Sequence, residues 1–165
     1  MLTFEKALFS DIKIIQTLAN KIWYACYKDI LSTQQIEYML NLMYSEKTIQ
    51  DEMEGEGLWE LIWFDRQAIG FISVVPQNKT LKLNKLYISD AYHGKGFGKQ
   101  SLAHVVKYAS NNGFEYVRLN VNKQNVKAIK AYEKTGFVWS HSEVNDIGGG
   151  YVMDDHIYVY AISKE

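Results

Sequence analysis

The chain of 165 residues is poor in the residues that mark several common classes of protein. Cys26 is its one cysteine, so no disulfide can form within the chain and no cysteine cluster can hold zinc. Pro76 is its one proline, and no repeat or low-complexity tract interrupts the sequence. These absences predict a single domain over residues 1–165, without a linker.

Long apolar runs are also missing. No run approaches the roughly 18 residues that a membrane span needs. The first residues, Met1 to Lys6, lack the basic and apolar segments of an export signal. Together with the near absence of cysteine, this predicts a cytoplasmic protein with no membrane partner.

The chain has no surplus of positive charge either. Its formal net charge is -1, which argues against a nucleic-acid partner, because binding to a nucleic-acid backbone relies on lysine and arginine. The charges are unevenly distributed, however. Residues 93–134 carry eight Lys or Arg and two acids, whereas residues 29–65 carry nine acids and one Lys. The first segment favours an anionic ligand and the second a cationic one.

Hydrophobic periodicity predicts a mixed α/β fold. Apolar residues recur at helical spacing from Ser10 to Cys26 and from Ser32 to Met43, and a shorter helical piece follows over residues 46–54. Short runs rich in β-branched and aromatic residues then predict strands, with a parallel crossover where a helix separates two of them. We expect a largely antiparallel, twisted sheet of about seven strands flanked by about four helices.

Residues 91–100, "AYHGKGFGKQ", place three glycines between a predicted strand and a predicted helix. A Walker loop is excluded, because Gly98-Lys99 is followed by Gln100 instead of Ser or Thr. A dinucleotide fingerprint is excluded too, because Lys99 stands where its third glycine belongs. What remains is a glycine-lined turn at a helix N-terminus, whose free amides and positive dipole end can hold a phosphate group.

The segment "LYISDAYHGKGFGKQSL" resembles the acetyl-CoA-binding motif of the GNAT superfamily of N-acetyltransferases. That motif has Arg or Gln, two residues, Gly, one residue, then Gly or Ala, and here His93 takes the first position while Gly96 and Gly98 take the others. A second segment, "NVKAIKAYEKTGF" (residues 125–137), is similar to the family's Asn-x-x-Ala-x-x-x-Tyr-x-x-x-Gly-Phe pattern. The resemblance covers about residues 58–162, and His93 is its departure from the family.

The resemblance implies a GNAT-like acyl-CoA N-acyltransferase fold and an acetyl-CoA-dependent enzyme that needs no metal. It implies that the end of the fourth strand pairs with the pantetheine arm as an added strand would, and that the glycine turn holds the pyrophosphate of coenzyme A. Because members of the family are often dimers, a homodimer is expected. The implied cofactor-binding residues are Leu86, Tyr87, Ile88, His93, Gly94, Lys95, Gly96, Phe97, Gly98, Lys99 and Asn125.

Tyr132 is the catalytic residue that the resemblance implies, near the thioester sulfur. It would give a proton to the departing thiolate, although its reference pKa of about 10 lies above the 8.5 or so of a thiol, so the transfer must be coupled or the pKa lowered. Backbone amides near Leu86 and Ile88 are candidates for binding the oxyanion.

The general base stays open. Strand alternation predicts one face that carries Lys82, Asn84, Leu86 and Ile88, so no carboxylate stands where many family members place one. Water relayed by Asn84 could serve as the base. The acids that could serve instead are Glu60, Asp154 and Asp155.

Each functional interpretation has a structural alternative. Tyr132 could be a packing residue, the glycines a flexible turn, and Asn125 a plain helix cap. Trp23, Tyr24 and Tyr27 could line an acceptor pocket, although core packing is the more common role of such a group.

The predicted reaction is acetyl transfer to a primary amine by direct attack in a ternary complex. The acidic segment favours a small cationic amine or polyamine as the acceptor. A protein or peptide amino terminus, or a coenzyme A-binding module without turnover, are the alternatives.

Overall fold

The computed structural model describes residues 1–163, which form seven strands and five α-helices. The predicted mixed fold and the seven strands are confirmed. There are five helices instead of about four, because the short segment over residues 46–54 forms a regular α-helix. In chain order the elements are β1 (Leu2–Lys6), α1 (Ile12–Tyr27), α2 (Thr33–Met43), α3 (Glu46–Glu54), β2 (Leu58–Phe64), β3 (Gln67–Gln77), β4 (Thr80–Ile88), α4 (Phe97–Asn111), β5 (Tyr116–Asn122), α5 (Val126–Lys134), β6 (Val138–Gly148) and β7 (Tyr151–Ala161).

The strands form one sheet in the order β1-β2-β3-β4-β5-β7-β6. Strands β4 and β5 are parallel, as the crossover predicted, whereas the β1–β2, β2–β3, β5–β7 and β6–β7 pairs are antiparallel. The chain divides into two compact units. The first comprises Met1–Val75 and Lys85–Phe97, and the second comprises Pro76–Asn84 and Gly98–Glu165, which is described as far as residue 163.

Helix caps and a tight hairpin define the first unit. Ser32 Oγ accepts a hydrogen bond from the Gln35 amide at 3.1 Å, and Ser45 Oγ accepts one from the Thr48 amide at 3.1 Å, which fixes where α2 and α3 begin. Asp65 and Arg66 join β2 to β3 with φ angles of 49° and 65°. Two such residues in the left-handed region make the kind of turn that suits the twist of a hairpin.

In the second unit, β5 has one apolar and one polar face. Val117, Leu119 and Val121 are buried, while Arg118, Asn120 and Asn122 alternate with them. The register places Tyr158 beside Leu119, and the Tyr158 hydroxyl donates to Glu133 of α5 at 3.2 Å. The apolar face is therefore the one that α5 covers, and the polar face lies on the opposite side.

Within residues 1–163, no helix combines the length and the apolar character that crossing a membrane requires.

Candidate functional site

The glycine loop follows a short 3-10 helix (Asp90–Tyr92) and leads directly into α4. Gly94 and Gly96 have φ angles of +78° and +81°, a conformation that other residues rarely adopt. Gly98, in the first turn of α4, has no such angle, and a Cβ at any of the three glycines would meet no atom within 4 Å. The positive φ angles thus explain why residues 94 and 96 are glycines. At Gly98 the lack of a side chain leaves open space instead.

The first turn of α4 combines this open space with positive charge. The side chains of Lys95 and Lys99 are exposed, and the early amides of any helix lack partners within the helix. Phe97 is buried instead, with its ring centroid 4.8 Å from that of Phe64. The side chain of Phe97 therefore packs into the core and holds the loop in place. Only the backbone of Phe97 is available to a ligand.

His93 ties the loop to the end of β4. Its Nε2 atom donates a hydrogen bond to the carbonyl oxygen of Ile88 at 2.8 Å, and its own amide donates to Asp90 at 3.1 Å. A histidine can make the first bond both as the neutral tautomer that carries the Nε2 proton and as the cation. His93 thus spans from the first position of the loop to a strand residue that the resemblance assigns to cofactor binding.

The end of β4 is held close to β3. The Ser89 amide donates to the Ile69 carbonyl at 2.8 Å, and a Cβ added at Gly70 would lie 2.2 Å from the carbonyl oxygen of Tyr87. Only glycine permits this approach. Leu86 is half-buried and Ile88 is buried. The three predicted pantetheine contacts thus belong to a backbone segment whose position β3 fixes.

The side chain of Tyr87 joins an aromatic cluster in the first unit. Its hydroxyl is 2.9 Å from that of Tyr27, and its ring centroid lies 5.8 Å from that of Trp23. Trp23 and Tyr27 are buried, whereas Tyr24 is 36% exposed, so the core interpretation holds for the first two residues. Burial, and secondly the nearby Tyr87, raise the pKa of Tyr27 well above its usual value.

Lys85 is a charged residue within the same cluster, and it was not singled out from the sequence. Its Nζ atom lies 5.0 Å from the Trp59 ring centroid and 5.4 Å from that of Tyr44, with Glu52 Oε1 at 4.0 Å. Trp59 Nε1 donates to the other oxygen of Glu52 at 2.9 Å. The available signal was the position of Lys85 in β4, which places it on the same face of the strand as the buried Leu81 and Leu83.

Asn125 and Tyr132 mark the beginning and the middle of α5 in the second unit. Asn125 Oδ1 accepts from the Ala128 amide at 3.3 Å, so Asn125 caps the helix as the sequence predicted. Tyr132 is half-buried, with its ring centroid 5.9 Å from that of Phe137. A packing contact and an accessible hydroxyl are compatible at such a position. Contact of Asn125 and Tyr132 with a cofactor stays a prediction.

The candidate bases differ in their surroundings. Glu60 lies opposite Lys6 in the β1–β2 register, and Asp154 forms an ion pair with Lys123 at 2.6 Å. Asp155 is only 3% exposed, and Asn120 Nδ2 lies 3.5 Å from its Oδ2 atom. Burial raises the pKa of Asp155 above its ordinary value. No sequence signal joins Asn120 to Asp155, because only the strand order makes them neighbours.

The described part of the chain shows no group of three or more His, Cys, Asp or Glu side chains arranged to hold a metal ion. The first unit brings together the end of β4, His93 and the loop as far as Phe97. Gly98, Lys99, Asn125 and Tyr132 belong to the second unit.

Comparison with known proteins finds similarity to acetyltransferases. The model of the acetyltransferase (GNAT) family matches residues 16–137, a range that includes both glycine-containing motifs. The peptidyl-lysine N-acetyltransferase YjaB of Salmonella typhimurium is 29% identical over 114 residues, which span 68% of this chain and 72% of that protein. The Escherichia coli protein of the same name is 31% identical over 105 residues, which span 63% of this chain and 65% of that protein.

Solved structures of N-acetyltransferases are similar to this chain along nearly its whole length. The PaiA N-acetyltransferase from Thermoplasma acidophilum, in complex with coenzyme A, is similar at a TM-score of 0.82 and 25% identity, over 98% of this chain and 99% of that one. A spermidine N-acetyltransferase, a SpeG chimera from Vibrio cholerae and hSSAT, gives a TM-score of 0.71 at 20% identity, over 97% of this chain and 95% of that one. At that identity the second likeness shows the fold alone.

Proposed function

The chain belongs to the acetyltransferase (GNAT) family, as its two motifs predicted, and we propose that it acetylates a small cationic amine by direct attack in a ternary complex. The enzyme is an acetyl-CoA-dependent N-acetyltransferase. The single observation that carries the proposed cofactor site is the glycine loop, whose open outer side leads straight into the N-terminus of α4.

The residues of this loop fit the pyrophosphate of coenzyme A. Two glycines with positive φ turn the chain, and Gly98 leaves the space beside the first helical amides clear of any Cβ. Amides and the positive end of a helix dipole bind phosphate without side chains. The exposed Lys95 and Lys99 add positive charge. We assign the amides of residues 94–99 to the pyrophosphate.

Three further contacts complete the proposed cofactor site. The backbone of residues 86–88 would hold the pantetheine arm, His93 would keep that backbone in place through the Ile88 carbonyl, and Asn125 would contact the cofactor beside its capping role. The register of the parallel β4–β5 ladder runs to the pair of Leu83 with Leu119, and β4 continues to Ile88. This continuation is the part of β4 that we assign to the cofactor.

The bound cofactor supplies an acetyl thioester, and the chain supplies orientation, charge and protons. Backbone amides near Leu86 and Ile88 are proposed to stabilise negative charge at the acetyl oxygen, because donors fixed in advance need no rearrangement during the reaction. The Tyr132 hydroxyl is proposed to protonate the leaving sulfur. No covalent enzyme intermediate is needed.

The charge of the first unit supports a cationic acceptor. Nine acids lie within residues 29–65, and most of them belong to or flank α3 and β2. Peptidyl lysine is the second candidate acceptor, because the Salmonella relative is named a peptidyl-lysine N-acetyltransferase. A peptide amino terminus stays the third, and the homodimer stays a prediction.

Release of coenzyme A thiol from acetyl-CoA tests the acceptor. Three acceptors suffice: spermidine, a peptide with one lysine and a blocked amino terminus, and the same peptide with a free terminus and the lysine replaced by arginine. We expect the highest kcat/KM with spermidine and measurable turnover with the lysine peptide. Turnover with the free amino terminus alone would overturn the cationic side-chain acceptor, and tight cofactor binding without turnover on any amine would overturn the catalytic proposal.

A further inference from the structure

Asp155 on β7 is the buried member of the three candidate bases, and the proposed function so far assigns the general base to none of them. It pairs with Asn122 across the antiparallel β5–β7 ladder and is 3% exposed. Its Oδ2 atom has Asn120 Nδ2 at 3.5 Å, the limit of a hydrogen bond. Its Oδ1 atom is fully buried and has no hydrogen-bond partner in the part of the chain that the structure describes. Buried carboxylate oxygens are normally satisfied, so this one calls for an explanation.

The position of Asp155 in the second unit supplies an explanation for the unpaired Oδ1 atom. The β4–β5 ladder ends with Leu83 and Leu119, and Asn120 is the next residue of β5. Two residues later β5 ends at Asn122, whose carbonyl accepts from the Asn125 amide at 2.9 Å as α5 begins. Asp155 is therefore level with the end of the strand that leads to the cap of α5. It lies on the polar face of the sheet, opposite the face that α5 covers.

Burial, together with polar and charged groups on four strands of the sheet, shifts the pKa of Asp155. Burial is the main cause of its raised pKa; the negative charges of Asp154 on the same strand and Glu143 on β6 raise it further. The Asn120 hydrogen bond and Lys82 on β4 oppose that shift. Arg118 bonds to Glu143 at 3.1 Å and so moderates its charge. The net result is a carboxylate that accepts protons more readily than an ordinary aspartate does.

We propose that Asp155 is the general base of acetyl transfer, taking a proton from the ammonium group of the acceptor. This role rests on the proposed function. An N–H bond of the ammonium breaks and an O–H bond forms on Asp155, which leaves a nitrogen lone pair free to attack the acetyl carbon. As the C–N bond forms, the C–S bond breaks and the thiolate takes the proton of Tyr132. The second proton of the nitrogen restores Tyr132, and Asp155 later releases its proton to solvent.

Asp155→Asn tests this role, with Asp154→Asn as the matched control. Both substitutions remove one charge from adjacent residues of β7, but Asp154 is ion-paired with Lys123 and about half exposed, 53% by side chain. We expect Asp155→Asn to lower kcat/KM by about a hundredfold or more, the usual contribution of a general base. The dissociation constant for coenzyme A should stay within about twofold in both variants, and Asp154→Asn should keep its activity within the same range.

The protonation state of the acceptor separates a base from a structural residue. An aminooxy analogue of the acceptor carries a nitrogen that is already neutral at the assay pH, so it needs no base. With that analogue the loss caused by Asp155→Asn should shrink to less than about tenfold. Raising the pH toward the pKa of the ordinary amine should shrink the loss in the same way.

The stability of the variant gives a readout that is independent of turnover. Because the folded pKa of Asp155 is raised, its contribution to stability is complete below the unfolded pKa of about 3.9 and falls as the pH rises through the folded pKa. Above the folded pKa the buried charge is therefore unfavourable, and Asp155→Asn should raise Tm there. This gain should vanish near pH 3.

Asn120→Leu provides a second variant. It removes a hydrogen bond that lowers the pKa of Asp155, so the acid limb of kcat/KM should move to higher pH. An equal loss with the ordinary and the aminooxy acceptors, or wild-type activity in Asp155→Asn, would overturn the role of Asp155. Failure of the wild-type enzyme to acetylate any amine would instead overturn the proposed function, and with it this role.

Discussion

At the scale of single residues, the three glycines of the loop do different work. Gly94 and Gly96 adopt φ angles of +78° and +81°, which a side chain would strain, whereas Gly98 adopts an ordinary helical conformation. The sequence shows three glycines and predicts the same role, a phosphate-binding turn, for all of them. The distinction depends on backbone angles, which follow from where the helix begins and were not visible in the composition.

His93 has a role that the sequence left unexplained. It occupies the motif position where the family has Arg or Gln, and all three side chains share an N–H donor. In the structure this donor bonds to the Ile88 carbonyl at 2.8 Å. The shared property is thus an N–H donor, which His93 uses to bond to the end of β4.

Replacing His93 by leucine should loosen the connection between the loop and β4. Loss of one hydrogen bond lowers the free energy of unfolding by about 0.5–1.5 kcal/mol, and we expect coenzyme A to bind a few times more weakly. His93→Gln keeps an N–H donor and should bind nearly as well as the wild type. Calorimetric titration with coenzyme A checks both variants. Equal weakening by leucine and glutamine would show that the donor is not what matters.

At the scale of elements, the sequence predicted the strands and helices but not their order in space. The period of "TLKLNKLYI" and "YVRLNV" identified two strands, and the intervening helix made them parallel, as observed. The insertion of β7 between β5 and β6 had no local signal, because it depends on long-range pairing. For this reason the Asn120–Asp155 neighbours, 35 residues apart, could not be predicted from the sequence.

The approach of β3 to β4 depends on Gly70. A Cβ at this position would lie 2.2 Å from the Tyr87 carbonyl oxygen, which belongs to rigid backbone. Gly70→Ala should therefore lower the free energy of unfolding by about 1–3 kcal/mol, the usual cost of overpacking. Unfolding in urea, followed by fluorescence, measures this loss. A Gly70→Ala variant as stable as the wild type would contradict the close packing of β3 against Tyr87.

At the scale of the whole molecule, a net charge of -1 conceals two segments of opposite sign. Eight basic residues lie within residues 93–134, which include the glycine loop and both predicted helices of the cofactor motifs, while nine acids lie within residues 29–65. Composition and motifs were sufficient to predict the family, the fold and an anionic cofactor. They could not identify the acceptor, because specificity depends on how side chains far apart in sequence meet.

The most direct test of the account is the affinity of Gly98 variants for coenzyme A. Gly98 has an ordinary φ, and a Cβ there meets no atom within 4 Å, so alanine fits the folded protein without strain. Within a helix, alanine is even favoured over glycine by up to about 1 kcal/mol. Gln100→Ala, at a second exposed position in the first turn of α4, is the control for helix propensity.

If the pyrophosphate lies against Gly98, a side chain there must displace it. We predict that Gly98→Ala raises the dissociation constant for coenzyme A by roughly tenfold, about 1.4 kcal/mol, and that Gly98→Leu raises it further, while both variants unfold cooperatively at or above the wild-type Tm. Wild-type affinity in Gly98→Leu, with the fold intact, would contradict the assignment of the glycine loop to the cofactor.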